Sequence, residues 1–109
     1  MKISAIIPCY NYKDKIIENI NLLNQILKKH FEDYEIIIIN DGSIDGTRKE
    51  LNKLKKNKRF KIINNRLNKG KSYSIIKGIK KAKGKKIFLY DCDLPYFEYL
   101  NLFLTKLKQ

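Results

Sequence analysis

Hydrophobic positions along this chain change spacing in a regular way, and the changes mark out its elements. Ile3-Ser4-Ala5-Ile6-Ile7 is a short apolar run stopped by Pro8, the pattern of a buried strand. From Lys13 to about Lys29 the spacing widens: Ile16, Ile20, Leu23 and Leu27 step by three and four, with Ile17 and Ile26 broadening the stripe. That is one face of a helix, with Asn11 as its expected N-cap. Glu35-Ile36-Ile37-Ile38-Ile39-Asn40 follows, and four consecutive isoleucines suit a central parallel strand buried on both faces. Asn40-Asp41-Gly42-Ser43 is a turn signal, after which Asp45 or Thr47 is expected to cap a weak helix reaching about Lys56.

The second half repeats the alternation. Phe60 to Asn64 reads as a third strand and 65–70 as a polar loop. A third helix is expected over Lys71–Lys83, with Ile75, Ile76, Ile79 and Ala82 inward and Gly84 at C′. Ile87-Phe88-Leu89-Tyr90 reads as a fourth buried strand, and Tyr96 to Lys108 as a last helix starting at Pro95. Phe97, Leu100, Phe103, Leu104 and Leu107 form its apolar face. A strict β-α-β-α order implies a Rossmann-like α/β fold: a parallel sheet with right-handed crossovers and helices on both faces. No linker or repeat interrupts it, so residues 1–109 are read as one domain.

Composition narrows the class. No apolar run approaches the roughly 20 residues of a membrane span. Met1-Lys2-Ile3 leads directly into a strand, so no leader is expected. Two cysteines, Cys9 and Cys92, are too few for a disulfide framework, which favours a cytoplasmic setting. If the first and fourth strands are neighbours, these two residues approach each other. The net charge of +13 is uneven: from Arg48 to Lys86, 17 Lys or Arg face a single acid, Glu50. That half carries a positive field suited to phosphate esters, anionic lipid or polyanions. Only Phe60 and Tyr73 are aromatic there, so the interleaving of a nucleic-acid surface is missing and no nucleic-acid partner is expected.

Candidate chemistry sits at strand ends. Asp41 ends the second strand, while Asp91 and Asp93 end the fourth. In an open parallel sheet those tips share the edge where ligands bind. Tyr10, after Pro8 and Cys9, is placed to stack on a base, with Asp41 accepting from it and Asp91 reaching a ribose. Asp93 is left to hold Mg²⁺ or Mn²⁺ on a diphosphate. Taken alone, two acids at a strand end more often cap a helix or sit in a solvated turn than hold a metal. Asn68-Lys69-Gly70-Lys71-Ser72 contains Gly-Lys-Ser, but a P-loop needs glycine five residues before Gly70, where Asn65 stands. Its backbone and Lys71 remain suited to phosphate at a helix start. His30, the single histidine, is expected at the surface, and no catalytic triad is indicated.

Four segments together resemble the N-terminal half of a glycosyltransferase family 2 domain of the GT-A fold. They are Ile6-Ile7-Pro8-Cys9-Tyr10-Asn11; Ile38 to Thr47 with its Asn-Asp-Gly-Ser; Asn68-Lys69-Gly70-Lys71 with Gly78, Ala82 and Gly84; and Phe88 to Leu94 with its Asp-Cys-Asp. The resemblance implies a UDP- or GDP-sugar donor, bound through Pro8, Tyr10, Asn11, Asp41, Lys71 and Asp91. It further implies Mg²⁺ or Mn²⁺ at a D-x-D motif formed by Asp91 and Asp93, with Asp93 the direct ligand. The loop and the Asp-Cys-Asp-Leu ending are similar to the branch that makes dolichyl- or polyprenyl-phosphate hexoses. That branch implies a lipid-phosphate acceptor and a place at a membrane surface. Ser72 and Ile76 depart from its usual Gly and Arg. A complete domain of this fold is longer, so the resemblance places the acceptor half and any catalytic base beyond Gln109 or on a partner chain. A non-catalytic nucleotide-sugar-binding module is the alternative.

Overall fold

The computed structural model describes residues 2–93 and 97–107. Eight elements follow in strict alternation: β1 (Ile3–Cys9), α1 (Ile16–His30), β2 (Tyr34–Asp41), α2 (Thr47–Asn52), β3 (Phe60–Asn65), α3 (Lys71–Lys81), β4 (Lys86–Leu89) and α4 (Phe97–Leu107). The strands form one parallel sheet in the order β3-β2-β1-β4. The chain starts in the middle, builds outward through β2 to β3, and returns across β1 to lay down β4. This is the expected Rossmann-like α/β architecture.

β1 and β2 are central and buried throughout, which is why their sequences are nearly unbroken apolar runs. Their alternate residues serve two layers. Ile3, Ala5, Ile7, Ile36 and Ile38 pack with Ile16, Ile20, Leu23 and Leu27 of α1, Leu51 of α2 and Leu104 of α4. Ile6, Ile37 and Ile39 face the other side, where α3 lies over β1 and β2. Each such isoleucine contributes about 1.5–3 kcal/mol by leaving water.

Several expectations need correction. Asn11 does not cap α1; it has φ +50° and bonds elsewhere, while the Ile16 N–H bonds the Tyr12 carbonyl at 3.1 Å. α2 stops at Asn52, and 53–56 are turns, because beyond Leu51 only Leu54 is there to bury. α3 turns Ser74 and Gly78 to the sheet, leaving Ile76 and Ile79 largely exposed. The reason is close approach: a Cβ at Gly78 would stand 2.7 Å from both Ile39 Cδ1 and Ile6 Cγ2. Gly84 is not the C′ residue, since the cap of α3 is Ala82; its missing Cβ instead makes room for Ser4, whose Oγ would lie at 2.6 Å.

β4 is a half-exposed edge strand rather than a buried one. Only Phe88 turns toward the main core, stacked obliquely on Phe31, while Ile87 and Leu89 lie on the side of the sheet that α3 leaves uncovered. On α4, Leu104 is buried and Leu100 packs inward, but Phe103 and Leu107 are exposed. The expected start of that helix at Pro95 lies outside the described residues, as does Leu94. His30 is buried, not on the surface: its Nε2 is 2.7 Å from Asn101 Oδ1, tying α1 to α4.

At the amino edge of the sheet, Glu35 clamps four segments. Its carboxylate accepts from Ser4 Oγ and from the Lys83 N–H, both at 2.6 Å, and pairs with Lys61 Nζ at 2.7 Å. Ser4 Oγ accepts in turn from the Gly84 N–H. Burial pushes the Glu35 carboxyl up, but Lys61 and these donors outweigh burial and hold it at about 2.

Candidate functional site

The functional residues collect at the opposite, carboxyl edge. β1 delivers Pro8, Cys9 and Tyr10 there, β2 delivers Asp41, β3 delivers Asn65, and the segment after β4 delivers Asp91, Cys92 and Asp93. A cavity of about 460 Å³ is lined by Pro8, Tyr10, Asp41, Lys71, Asp91 and Asp93, together with Cys9, Tyr12, Asn68, Gly70 and Cys92. All the predicted donor-site residues but one therefore converge. Asn11 is the exception. Its N–H donates to Ser43 Oγ at 2.9 Å and its Oδ1 accepts from the Ile44 N–H at 2.8 Å, so it braces the β1 and β2 turns behind the cavity.

Asp41 is more engaged than its sequence position indicated. Its Oδ1 accepts from the Lys69 N–H at 2.7 Å and Asn65 Nδ2 at 2.9 Å, and its Oδ2 from the Gly70 N–H at 2.9 Å. Burial raises this carboxyl, yet the backbone and amide donors more than reverse it and hold it below the usual carboxylate range. The chemistry that follows is positional. Asp41 pulls the 66–70 loop onto the strand tip and so starts α3 where Lys71 can reach the cavity. Gly42 makes the contact possible: at φ +71° its Cβ would fall 2.4 Å from the Asn68 nitrogen.

Lys71 Nζ then meets Asp91 Oδ1 at 2.6 Å across the cavity lip, and the carboxylate raises the lysine's affinity for its proton. Both side chains are more than half exposed. Such a pair is worth about 0–1 kcal/mol, so it brings the two charges together without locking them. An incoming phosphate can take the lysine and a cation the carboxylate. A second recess of about 260 Å³ lies across this pair, lined by Pro8, Lys71, Ile75, Leu89, Tyr90 and Asp91. Tyr10 is 46% exposed, leaving its ring free to stack.

Asp91 and Asp93 suit Mg²⁺ or Mn²⁺, which commonly binds through one or two carboxylates and completes its shell with substrate phosphates and water. Among the described residues no three His, Cys, Asp or Glu side chains cluster closely enough to hold an ion alone. Two carboxylates on one cavity are a donor set that would fit a metal shared with a diphosphate.

Asn65, Asn19 and Ser43 are site-building residues that the sequence reading missed. Asn65 bridges Asp41 and Ser74 and accepts from Lys77 Nζ at 3.0 Å. Asn19, on α1, donates to the Cys92 carbonyl at 2.9 Å and holds the Asp-Cys-Asp segment from behind. A polar residue on the apolar stripe of α1 was the available signal, as was Asn65 at a strand tip.

A parallel sheet whose carboxyl edge gathers a half-exposed aromatic, a basic helix start and an acid pair is a Rossmann-like α/β domain with its candidate ligand site at that edge. More narrowly, residues 4–108 match the model of Glycosyl transferase family 2, and the chain belongs to that family. It is 35% identical over 91 residues to poly-beta-1,6-N-acetyl-D-glucosamine synthase of Staphylococcus epidermidis, covering 84% of this chain and 21% of that protein. It is 38% identical over 103 residues to CsbB of Bacillus subtilis strain 168, covering 90% and 30%. The chain thus spans less than a third of the length of these relatives. Among solved structures, TarS 1-349 of S. aureus in complex with UDP superposes with a TM-score of 0.67 at 29% identity, over 85% of this chain and 28% of that one. The Pyrobaculum calidifontis mannosyltransferase PcManGT, in complex with GDP-Man and Mn²⁺, shares the fold with a TM-score of 0.76 at 18% identity, over 91% and 30%.

Proposed function

We propose that this chain is the donor-binding portion of a hexosyltransferase that uses a UDP- or GDP-sugar. The observation that carries this reading is the convergence of Pro8, Tyr10, Lys71, Asp91 and Asp93 on one cavity at the carboxyl edge. Tyr10 stacks on the base, Asp91 reaches the ribose, and Lys71 with the loop backbone faces the diphosphate. Asp41 acts chiefly by holding that loop. Asp93, with Asp91, would hold Mg²⁺ or Mn²⁺, which neutralises charge on a departing nucleoside diphosphate when bound. TarS binds UDP in a structure of the same fold, which supports this donor class.

A polyprenyl- or dolichyl-phosphate acceptor is the finer part of the proposal. It is supported by the recess that sets Ile75, Leu89 and Tyr90 beside Lys71, which suits an apolar chain ending in phosphate. A peripheral position at the cytoplasmic membrane surface accords with exposed Tyr73 and Ile76 on the lysine-rich α3. The base that activates the acceptor is assigned to no residue of this chain, and a partner chain supplying it belongs to the same proposal.

Thermal unfolding tests the donor site. UDP- or GDP-sugar with Mn²⁺ is expected to raise the melting temperature, and Asp93→Ala to remove the metal-dependent part of the rise. No shift with any nucleotide would overturn the reading. Transfer of labelled sugar to polyprenyl phosphate by the chain separates an enzyme from a module that only binds the donor.

A further inference from the structure

Cys9 and Cys92, the two cysteines of the chain, both carry free thiols and both line the same cavity. The sheet brings them together. β4 pairs with β1 in the register Ile3 to Lys86 through Ile6 to Leu89, and the Tyr90 N–H continues the ladder to the Ile6 carbonyl at 2.9 Å. β4 ends at Leu89, and the chain beyond it packs Cys92 against the core cluster that contains Cys9, so that both residues open onto the one cavity. A disulfide between them needs Cα atoms about 4.4–6.8 Å apart. Asn19, bonded to the Cys92 carbonyl, holds the segment against the tip of β1. Cys9 is nearly buried and Cys92 partly so, which makes Cys92 the first thiol that a reagent entering the cavity meets.

We propose that Cys9 and Cys92 form a dithiol modification site, which a low-molecular-weight disulfide converts to an intramolecular disulfide that reshapes the cavity. Cys92 gives up its proton and its sulfur attacks one sulfur of the reagent, releasing one thiol and leaving a mixed disulfide. Cys9 then gives up its proton and attacks the Cys92 sulfur, releasing the second thiol. One protein S–S bond forms, the reagent's S–S bond is reduced by two electrons, and both protons leave on the released thiols. Bond formation draws the sulfurs to about 2.05 Å. Cys92 lies between Asp91 and Asp93, so the contraction moves both carboxylates relative to Lys71. Oxidation therefore weakens nucleotide binding; this consequence, unlike the bond itself, rests on the donor-site reading.

The full chain, reduced and then incubated with oxidised glutathione, decides it by intact mass. The expected product is lighter by two hydrogens, refractory to iodoacetamide, restored by dithiothreitol, and gives a Cys9–Cys92 linked peptide on digestion. Cys92→Ser is expected to lose the linkage. A stable glutathione adduct on Cys92, or two alkylatable thiols after the treatment, overturns the site. UDP titrations of the reduced and oxidised wild-type protein then read the consequence: several-fold weaker binding in the oxidised form, reversed by dithiothreitol. Equal binding overturns the reshaping. A reduced protein that binds no UDP at all condemns the donor-site reading, while the mass measurement still rules on the disulfide.

Discussion

Gly42 shows how much of the cavity depends on single atoms. Its φ of +71° places it in the left-handed region, and the space a Cβ would need is held by backbone, with Asn68 N at 2.4 Å. Backbone cannot swing aside as a flexible side chain can. Gly42→Ala is therefore expected to cost more than about 2 kcal/mol in urea denaturation. It should also lift the 66–70 loop from Asp41 and weaken UDP binding. The places of Asp41, Lys71, Asp91 and Asp93 on the carboxyl edge were legible in the sequence because acids and a lysine at strand and helix ends announce themselves. Asn11 misled because Asn suits both an N-cap and a turn with positive φ, and only the partner across space, Ser43, chooses between them. Asn65 was silent for the same reason: an amide's role is defined by what it bonds.

At the scale of elements, the sequence showed which segments are helix or strand better than which face each one buries. α3 is the clear case. Its isoleucine spacing points 75, 76 and 79 inward, yet the sheet receives Ser74 and Gly78 because a glycine lets the helix axis come close to Ile6 and Ile39. Gly78→Ala sets two effects against each other. Alanine gains up to about 1 kcal/mol of helix propensity, but overpacking against two buried isoleucines costs about 1–3 kcal/mol. A net loss near 1 kcal/mol in chemical denaturation is expected, whereas Ile76→Ser should change stability little because that side chain is largely exposed. The exposed residues of β4 were equally hidden from the pattern. A parallel strand that is covered on both faces and one left half-open at an edge have the same apolar sequence, and the difference lies in where α3 comes to rest.

For the whole molecule, the two edges of the sheet divide the labour. The carboxyl edge keeps Lys71 and Asp91 exposed and exchangeable above a buried Asp41, while the amino edge buries Glu35 and ties it to Ser4, Lys83 and Lys61. The carboxyl has an ordinary value of 4.5 and is held at about 2 in the folded chain, so the clamp contributes its full stability above pH 4.5 and loses it as pH falls toward 2. Urea denaturation of wild type and Glu35→Gln at pH 6, 4 and 3 should show the gap between them closing with acid. At pH 6 the variant is expected to be less stable by about 2 kcal/mol. The sheet order, too, was only partly legible: alternation of strands and helices implied parallel pairing, but nothing local indicated that β4 would return to β1.

That return has a consequence in time. Ser4 on β1 waits for Gly84, 80 residues later, and the Asp-Cys-Asp segment follows that junction in the chain. Contacts of such long sequence separation form slowly, because the chain must close large loops before they reward it. On a ribosome, β1, β2, β3 and the Asp41 loop are all out and able to pack before Asp91 and Asp93 are made. The acid pair is thus made only after the other cavity residues, and a nascent chain halted ahead of β4 has three strands of the sheet but no Asp91 or Asp93 at its edge.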